Sequence, residues 1–215
     1  MPSNEWIATL KQHGCTLDAD QIERIGQYCF LVRKWSTFSA LVSSGNLEQL
    51  EDLHIVDSFS LVDPVSSVVP VGGMVLDIGS GGGFPAIPMA IALPDRYFTL
   101  MERSAKKVSF LRKVMGALKL DHVQLIHGTF PDELPEEVPH GITARAVERS
   151  DAVMEEITGV MPENCTFFCQ SGDPKGKVDE NMFHVERWQD EWTKTGARRG
   201  TLYTIRRRDG VAPAE

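Results

Sequence analysis

Val75-Leu76-Asp77-Ile78-Gly79-Ser80-Gly81-Gly82-Gly83-Phe84-Pro85 decides how the rest of the chain is read. An apolar run carrying one acid stops at a glycine-dense turn, and two prolines, Pro85 and Pro88, follow. That order is how a parallel strand hands over to a helix with a ligand lying across the junction. Gly79 and Gly81 permit positive φ and let a ligand approach the backbone, while Gly83 lets the helix pack close to the strand. Pro85 and Pro88 suit a first helical turn, where missing N–H groups cost little. Asp77 ends the strand, where its carboxylate can order the turn or meet a cationic ligand group.

Working outward, the residues after this turn alternate between strand and helix. Helix is expected over Phe84 to Leu93, Ser104 to Leu118 and Ala152 to Val160. Strands are expected over Met74 to Ile78, Tyr97 to Glu102, Val123 to Ile126, Ile142 to Ala144 and Thr166 to Gln170. Phe183 to Trp188 and Thr201 to Arg206 read as late strands, and the acidic, proline-broken stretch Pro131 to Pro139 as a surface loop. The residues before the turn read as helical. One helix opens at Asp18-Ala19-Asp20-Gln21 and runs to about Leu41, and a second covers Leu47 to Leu61. Asp63-Pro64 and Pro70 to Gly73 are expected as linker. The expected fold is α/β: a Rossmann-like, mostly parallel, doubly wound sheet in residues 71–215, with an N-terminal helical cap in residues 1–70, the two forming one compact unit.

Composition sets outer limits. With 215 residues, 42% hydrophobic and 24% charged, the chain is an ordinary globular one. No apolar run approaches a membrane span, and Met1 to Leu10 lacks the basic and apolar parts of a signal peptide, so a cytoplasmic protein is expected. Cys15, Cys29, Cys165 and Cys169 form no CxxC pair, so no metal is expected and buried free thiols are. A net charge of −8 argues against a strongly basic surface and for weak nonspecific nucleic-acid affinity, although local basic clusters remain available.

The register of the glycines selects the cofactor. A dinucleotide site wants G-x-G-x-x-G, but Phe84 stands where its third glycine falls. D-x-G-x-G-x-G fits instead through Asp77, Gly79, Gly81 and Gly83, which is the S-adenosyl-L-methionine form. Glu102 ends the next strand, where an acid accepts hydrogen bonds from ribose hydroxyls. A plain strand–helix connector and a solvated strand-end acid are the structural alternatives. The fourth strand leads into Ala144-Arg145-Ala146-Val147-Glu148-Arg149. It offers neither the [DN]PP[YF] loop of amino-group methylation nor the cysteine of carbon methylation. An acceptor with its own lone pair, such as guanine N7, needs no base, so catalysis would be mostly positioning. Arg145 suits such a site by holding a phosphate or a guanine edge; otherwise it is a salt-bridge partner of Glu102 or Glu148.

These residues resemble the glucose-inhibited division protein B family, the bacterial 16S ribosomal RNA guanine-N7 methyltransferases. The match includes Lys34-Trp35, His54-Ile55-Val56-Asp57-Ser58, Asp77 to Pro88, Phe98 to Glu102, Lys106 to Arg112 and Ala144-Arg145-Ala146. The resemblance implies a class I S-adenosylmethionine-dependent methyltransferase acting on ribosomal RNA or the small ribosomal subunit, as a monomer. It implies cofactor contacts at Gly79, Phe84, Phe130-Pro131 and Arg145, and it turns His54 and Asp57 towards the pocket as catalytic candidates beside Arg145. A helix-packing role for His54 is the alternative. The chain departs from the family at Leu53, at Thr129-Phe130-Pro131 and at Ser171-Gly172, where cations are usual. Lys175 and Lys177 are possible replacements. Arg198, Arg199 and Arg206 to Arg208 are candidate phosphate contacts, and Arg103, Lys106 and Lys107 form another patch. Two further readings stay open: a cofactor-binding protein with a regulatory or assembly role, and a methyltransferase with a small-molecule acceptor.

Overall fold

The computed structural model describes residues 5–145, 151–170 and 173–208. The run Ala146 to Arg149 and the pair Ser171-Gly172, both singled out above, lie outside the described residues.

Helices α1 (Glu5–Gln12) and α2 (Ala19–Ser36) begin the fold. Asp18 caps α2: its side chain accepts from the Gln21 N–H, and the Gln21 side chain accepts from the Asp18 N–H in return. The helix stops at Ser36 rather than near Leu41, and no helix covers Leu47–Gln49. A π-helical turn at Glu51–Ile55 runs into the short α3 (Val56–Phe59), and α4 (Val62–Val68) follows. Asp63-Pro64 therefore lies inside α4 rather than in a linker. Proline costs little so near a helix start, where no intrahelical partner exists for its missing N–H.

The sheet carries β1 (Met74–Ile78), β2 (Tyr97–Glu102), β3 (Val123–His127), β4 (Gly141–Ala144), β5 (Thr166–Cys169), β6 (Phe183–Arg187) and β7 (Tyr203–Arg207). Its order is β3-β2-β1-β4-β5-β7-β6. The first five strands in that row pair in parallel, and β7 pairs antiparallel with both β5 and β6. Helices α5 (Ala86–Ala92), α6 (Ala105–Leu118), α7 (Asp151–Val160) and α8 (Glu191–Thr195) complete the architecture. Among the described residues no helix is long and apolar enough to cross a membrane.

Strand periodicity sends alternate residues of β1 to opposite faces. Met74, Leu76 and Ile78 join a core with Met154, Ile157, Phe167 and Ile205. Val75 joins the other core, which holds Phe98 and Leu100 of β2, Phe110 and Leu111 of α6, and Ile25, Tyr28, Ile55 and Phe59 of the N-terminal helices. The same parity puts Asp77, Glu102 and Thr143 on this helical-cap side. One apolar core thus ties the helices between Glu5 and Val68 to the sheet, which is why the polar ends of β1, β2 and β4 lie beneath them.

Candidate active site

The turn after β1 is built from backbone. Gly79, Gly81 and Gly83 hold φ of 70°, 58° and 90°, conformations that L side chains rarely adopt. The Ser80 N–H donates to the Met101 carbonyl at 2.9 Å, tying the turn to β2. Gly83 is crowded: a Cβ there would meet Ile87 Cγ1 at 2.6 Å, Tyr28 Oη at 3.0 Å and Leu111 Cδ2 at 3.2 Å. The close approach thus serves α2, α5 and α6 rather than the strand. Tyr28 also donates its hydroxyl to the Gly82 carbonyl at 2.6 Å. Pro85 stands just before the first residue of α5 and Pro88 lies in its first turn.

Asp77 is buried, at 1% exposure. Its Oδ1 accepts from the Thr143 hydroxyl at 2.7 Å, across the β1–β4 register, while its Oδ2 is buried without a partner. Burial pushes the carboxyl up to about 7, against the lowering pull of Thr143, Ser80 and Arg145. A buried carboxylate oxygen left unsatisfied next to a ligand turn fits the methionine ammonium of S-adenosylmethionine. Glu102 is buried too, and both its oxygens brace backbone: Oε2 accepts from the Gly81 N–H and Oε1 from the Ser104 N–H, each at 2.8 Å. Each oxygen keeps a second lone pair for a ribose hydroxyl.

A cavity of about 360 Å³ opens beyond these groups, lined by Ile78, Gly79, Met101, Glu102, Arg103, Lys107, Gly128, Thr129, Phe130, Val153 and Glu156. It sits over the carboxyl ends of parallel strands, where open α/β sheets bind ligands. Of the expected cofactor residues, Gly79, Glu102 and Phe130 line it, and Pro131 does not. The Asp77 side chain, Gly83 and Phe84 are also outside its lining.

Phe84 belongs to a second cluster on the cap side. The Arg145 guanidinium lies 5.3 Å from the Phe84 ring centroid. Its Nη1 pairs with Asp57 Oδ2 at 3.3 Å, and its Nη2 donates to His54 Nδ1 at 3.0 Å. Among the described residues Arg145 therefore engages Asp57 and not Glu102; Glu148 lies outside the described residues. The His54 ring itself packs on Phe84, with centroids 5.0 Å apart. Burial, then Arg145 and Arg199, depress His54 to about 4, so the imidazole is neutral at pH 7. With Nδ1 accepting from Arg145, Nε2 carries the proton; the Asn46 side-chain amide, 3.4 Å away, offers its oxygen as partner once turned. Asp57 Oδ1 accepts from the Arg199 N–H at 2.8 Å. Burial holds the Asp57 carboxyl above its ordinary range, against the pull of Arg145 and Arg199.

Other expected cations have structural work. The Arg198 side chain is fully buried; it pairs with Asp190 at 2.6 Å and donates to the Ser60 carbonyl and hydroxyl. Arg207 is buried and donates to the Thr158 and Met161 carbonyls. Neither can be a phosphate contact. Lys177 pairs with Asp151, and Arg206 with Glu186. Cys29 and Cys165 are buried free thiols, Cys169 is buried, and Cys15 is half-buried. Thr143, Tyr28 and Asn46 escaped the sequence reading. Thr143 had a signal, one residue of matching parity on the strand beside Asp77; the other two become visible only in tertiary contact.

Solved structures share this fold. An S-adenosylhomocysteine-bound methyltransferase from Podospora anserina superposes with a TM-score of 0.56 at 15% identity, covering 90% of this chain and 97% of that one. An S-adenosyl-L-methionine-dependent methyltransferase from Methanococcus maripaludis gives 0.55 at 15% identity, covering 86% and 94%. Fold, glycine turn and strand-end acids define a class I S-adenosylmethionine-dependent methyltransferase, and the orphaned Asp77 oxygen and Glu102 fit that cofactor. The family model described as rRNA small subunit methyltransferase G matches residues 21–195. Proteins of that name are 31% identical over 188 residues in Lachnoclostridium phytofermentans, covering 86% of this chain and 76% of the relative. In Ectopseudomonas mendocina the identity is 34% over 144 residues, covering 67% and 66%. The chain belongs to the rRNA small subunit methyltransferase G family.

Proposed function

We propose that the chain transfers the methyl group of S-adenosylmethionine to N7 of a guanine in the 16S ribosomal RNA of the small subunit. The family supports ribosomal RNA as acceptor class. The observation that carries the finer reading is that the bases of the cap-side cluster are already committed. His54 Nδ1 accepts from Arg145, and Asp57 is engaged by Arg145 and by the Arg199 N–H. An acceptor that must lose a proton would need one of them free. Guanine N7 attacks with its own lone pair and releases no proton, so it asks only for position.

Bound S-adenosylmethionine supplies an electrophilic methyl group on sulfonium. Asp77 and Glu102 are the residues to hold its ammonium and ribose, with Gly79, Gly81 and Phe130 giving backbone and apolar contact. Arg145, fixed by Asp57 and His54 above Phe84, orients the acceptor. Residues 1–70 act as the cap that supplies His54 and Asp57 to the methyl-transfer side. We place this activity in the cytoplasm and in a single copy of the chain.

Incubation of labelled S-adenosylmethionine with purified small subunits, followed by nucleoside analysis, tests the reading. Labelled 7-methylguanosine is expected, and Arg145→Ala is expected to lower kcat by about 100-fold or more. Arg145→Lys does not rescue it, because an ammonium cannot bridge Asp57 and His54 while stacking on Phe84. Label at another base atom, or only in a small metabolite, overturns the N7 assignment.

A further inference from the structure

Helix α6 and its flanks carry Arg103, Lys106, Lys107, Arg112, Lys113 and Lys119, and no acid from Arg103 to Leu120. In a chain of net charge −8 this is a sharp segregation. From Asp121 to Gln170 the balance reverses, with Asp132, Glu133, Glu136, Glu137 and Glu163 all exposed. The α6 cations other than Lys107 are exposed, and among the described residues none of the six pairs with a carboxylate. Neighbouring cations left unpaired repel one another, so folding alone gives no reason for the run.

The helix is well placed for a polyanion. At its first turn Lys107 lines the cofactor cavity, and its Nζ lies 4.0 Å from where a Cβ on Gly81 would be. Its inner face is fixed by Val108, Phe110, Leu111, Val114 and Leu118, all buried. Trp35 of α2 packs on Phe110 with centroids 5.7 Å apart, and Arg24 of α2 donates to the Leu118 carbonyl at 3.0 Å. The outer face therefore points its charges outward from a rigid mount. Lys106 and Lys113 lie two turns apart on one stripe, about 10 Å along the axis, with Arg112 on the adjacent side. That spacing spans roughly two phosphates of an RNA strand.

We propose that the outer face of α6 is the docking surface for the phosphodiester backbone of the acceptor RNA, entering from the lip of the cofactor cavity. This rests on the RNA acceptor proposed above. The acidic loop beyond β3 marks the side from which RNA is repelled.

The test compares wild type with Lys106→Gln/Arg112→Gln/Lys113→Gln. None of these three residues lines the cavity, and all three are exposed. The control Lys11→Gln/Arg187→Gln/Lys194→Gln, at exposed cations outside every candidate RNA contact, makes the same change in net charge elsewhere. Binding to purified small subunits is measured by fluorescence anisotropy across a salt series, with S-adenosylhomocysteine affinity and methyl transfer in parallel. The α6 variant should bind subunits about tenfold or more weakly, with a salt slope shallower by about two to three. The control should bind like wild type, and both should keep wild-type S-adenosylhomocysteine affinity. Equal binding by the α6 variant and wild type overturns the docking surface, whether or not methyl transfer occurs. So does an equal loss in the control, which would mean only overall charge matters. Binding that depends on α6 without 7-methylguanosine upholds the surface and overturns the acceptor atom. Neither binding nor methylation by wild type overturns both.

Discussion

Asp77, proposed to hold the cofactor ammonium, works against the fold that buries it. Its carboxyl is pushed up to about 7 from an ordinary 3.8 because it is buried. Between these values the native protein keeps a proton that the unfolded chain has released, so stability falls as pH rises through the window. Asp77→Asn removes that cost. The ligand-free variant should melt several degrees above wild type at pH 8, corresponding to a few kcal/mol at most, and the gap should close towards pH 4. Its affinity for S-adenosylhomocysteine should meanwhile fall by tenfold or more. Calorimetric melts at the two pH values decide this, and a lower melting temperature than wild type at pH 8 would refute it. The gain in stability and the loss in binding have the same origin, an oxygen buried without a partner.

At the scale of elements, glycines of one turn have separable tasks. Gly83 faces contacts as short as 2.6 Å, whereas a Cβ on Gly81 would meet nothing closer than the Gly79 carbonyl at 3.7 Å. Gly83→Ala should cost about 2–4 kcal/mol, through overpacking added to a positive φ. Gly81→Ala should cost only about 1–2 kcal/mol but weaken cofactor binding, because its N–H engages Glu102. Urea midpoints give the first comparison and titration the second; a larger stability loss for Gly81→Ala would contradict the packing account. The segment after α8 has a comparable structural role. Arg198 joins Asp190 to Ser60 at the end of α3, while the next residue's N–H reaches Asp57. Arg198→Ala strips Asp190 Oδ2 and the Ser60 carbonyl of their donor, leaving Thr193 on Asp190 Oδ1, and a loss of about 3 kcal/mol is expected. Arg198→Lys should recover little of it, since one ammonium cannot reproduce the donors now shared between Asp190 and Ser60. Thermal melts check both, and a wild-type melting temperature for the alanine variant would show that the junction is dispensable.

For the molecule as a whole, the buried strands were the legible part. Residues 74–78 and 97–102 read as short, largely apolar runs bounded by turn residues, and parallel strands covered on both faces have that form. The glycine register likewise gave the cofactor class. The cap was less legible. Its helices do not keep one period: α2 ends at Ser36, and a π-helical turn shifts the face at Glu51–Ile55, so a single 3.6-residue stripe over 47–61 could not describe it. Helices α1 and α8 passed unnoticed, being short and stabilised by tertiary contact. Among the site residues, His54, Asp57 and Arg145 gather as the family pattern implies, but their hydrogen bonds connect α3, β4 and the chain after α8, positions no local pattern relates. Arg198 looked solvated because sequence shows charge and not burial. Phe84, read from the family pattern as a cofactor contact, also packs against Arg145 and His54, a link only the tertiary structure shows.

The last strand along the chain, β7, lies between β5 and β6, and β6 bonds to no other strand of the sheet. During synthesis the ribosome must therefore release Tyr203–Arg207 before β6 can join at all. Until then Thr166–Cys169, an apolar strand buried in the finished protein, offers an unpaired edge to any neighbouring chain. Completion of the sheet thus waits for Tyr203–Arg207 to emerge, and a nascent chain stalled before Tyr203 exposes that edge to chaperones and proteases.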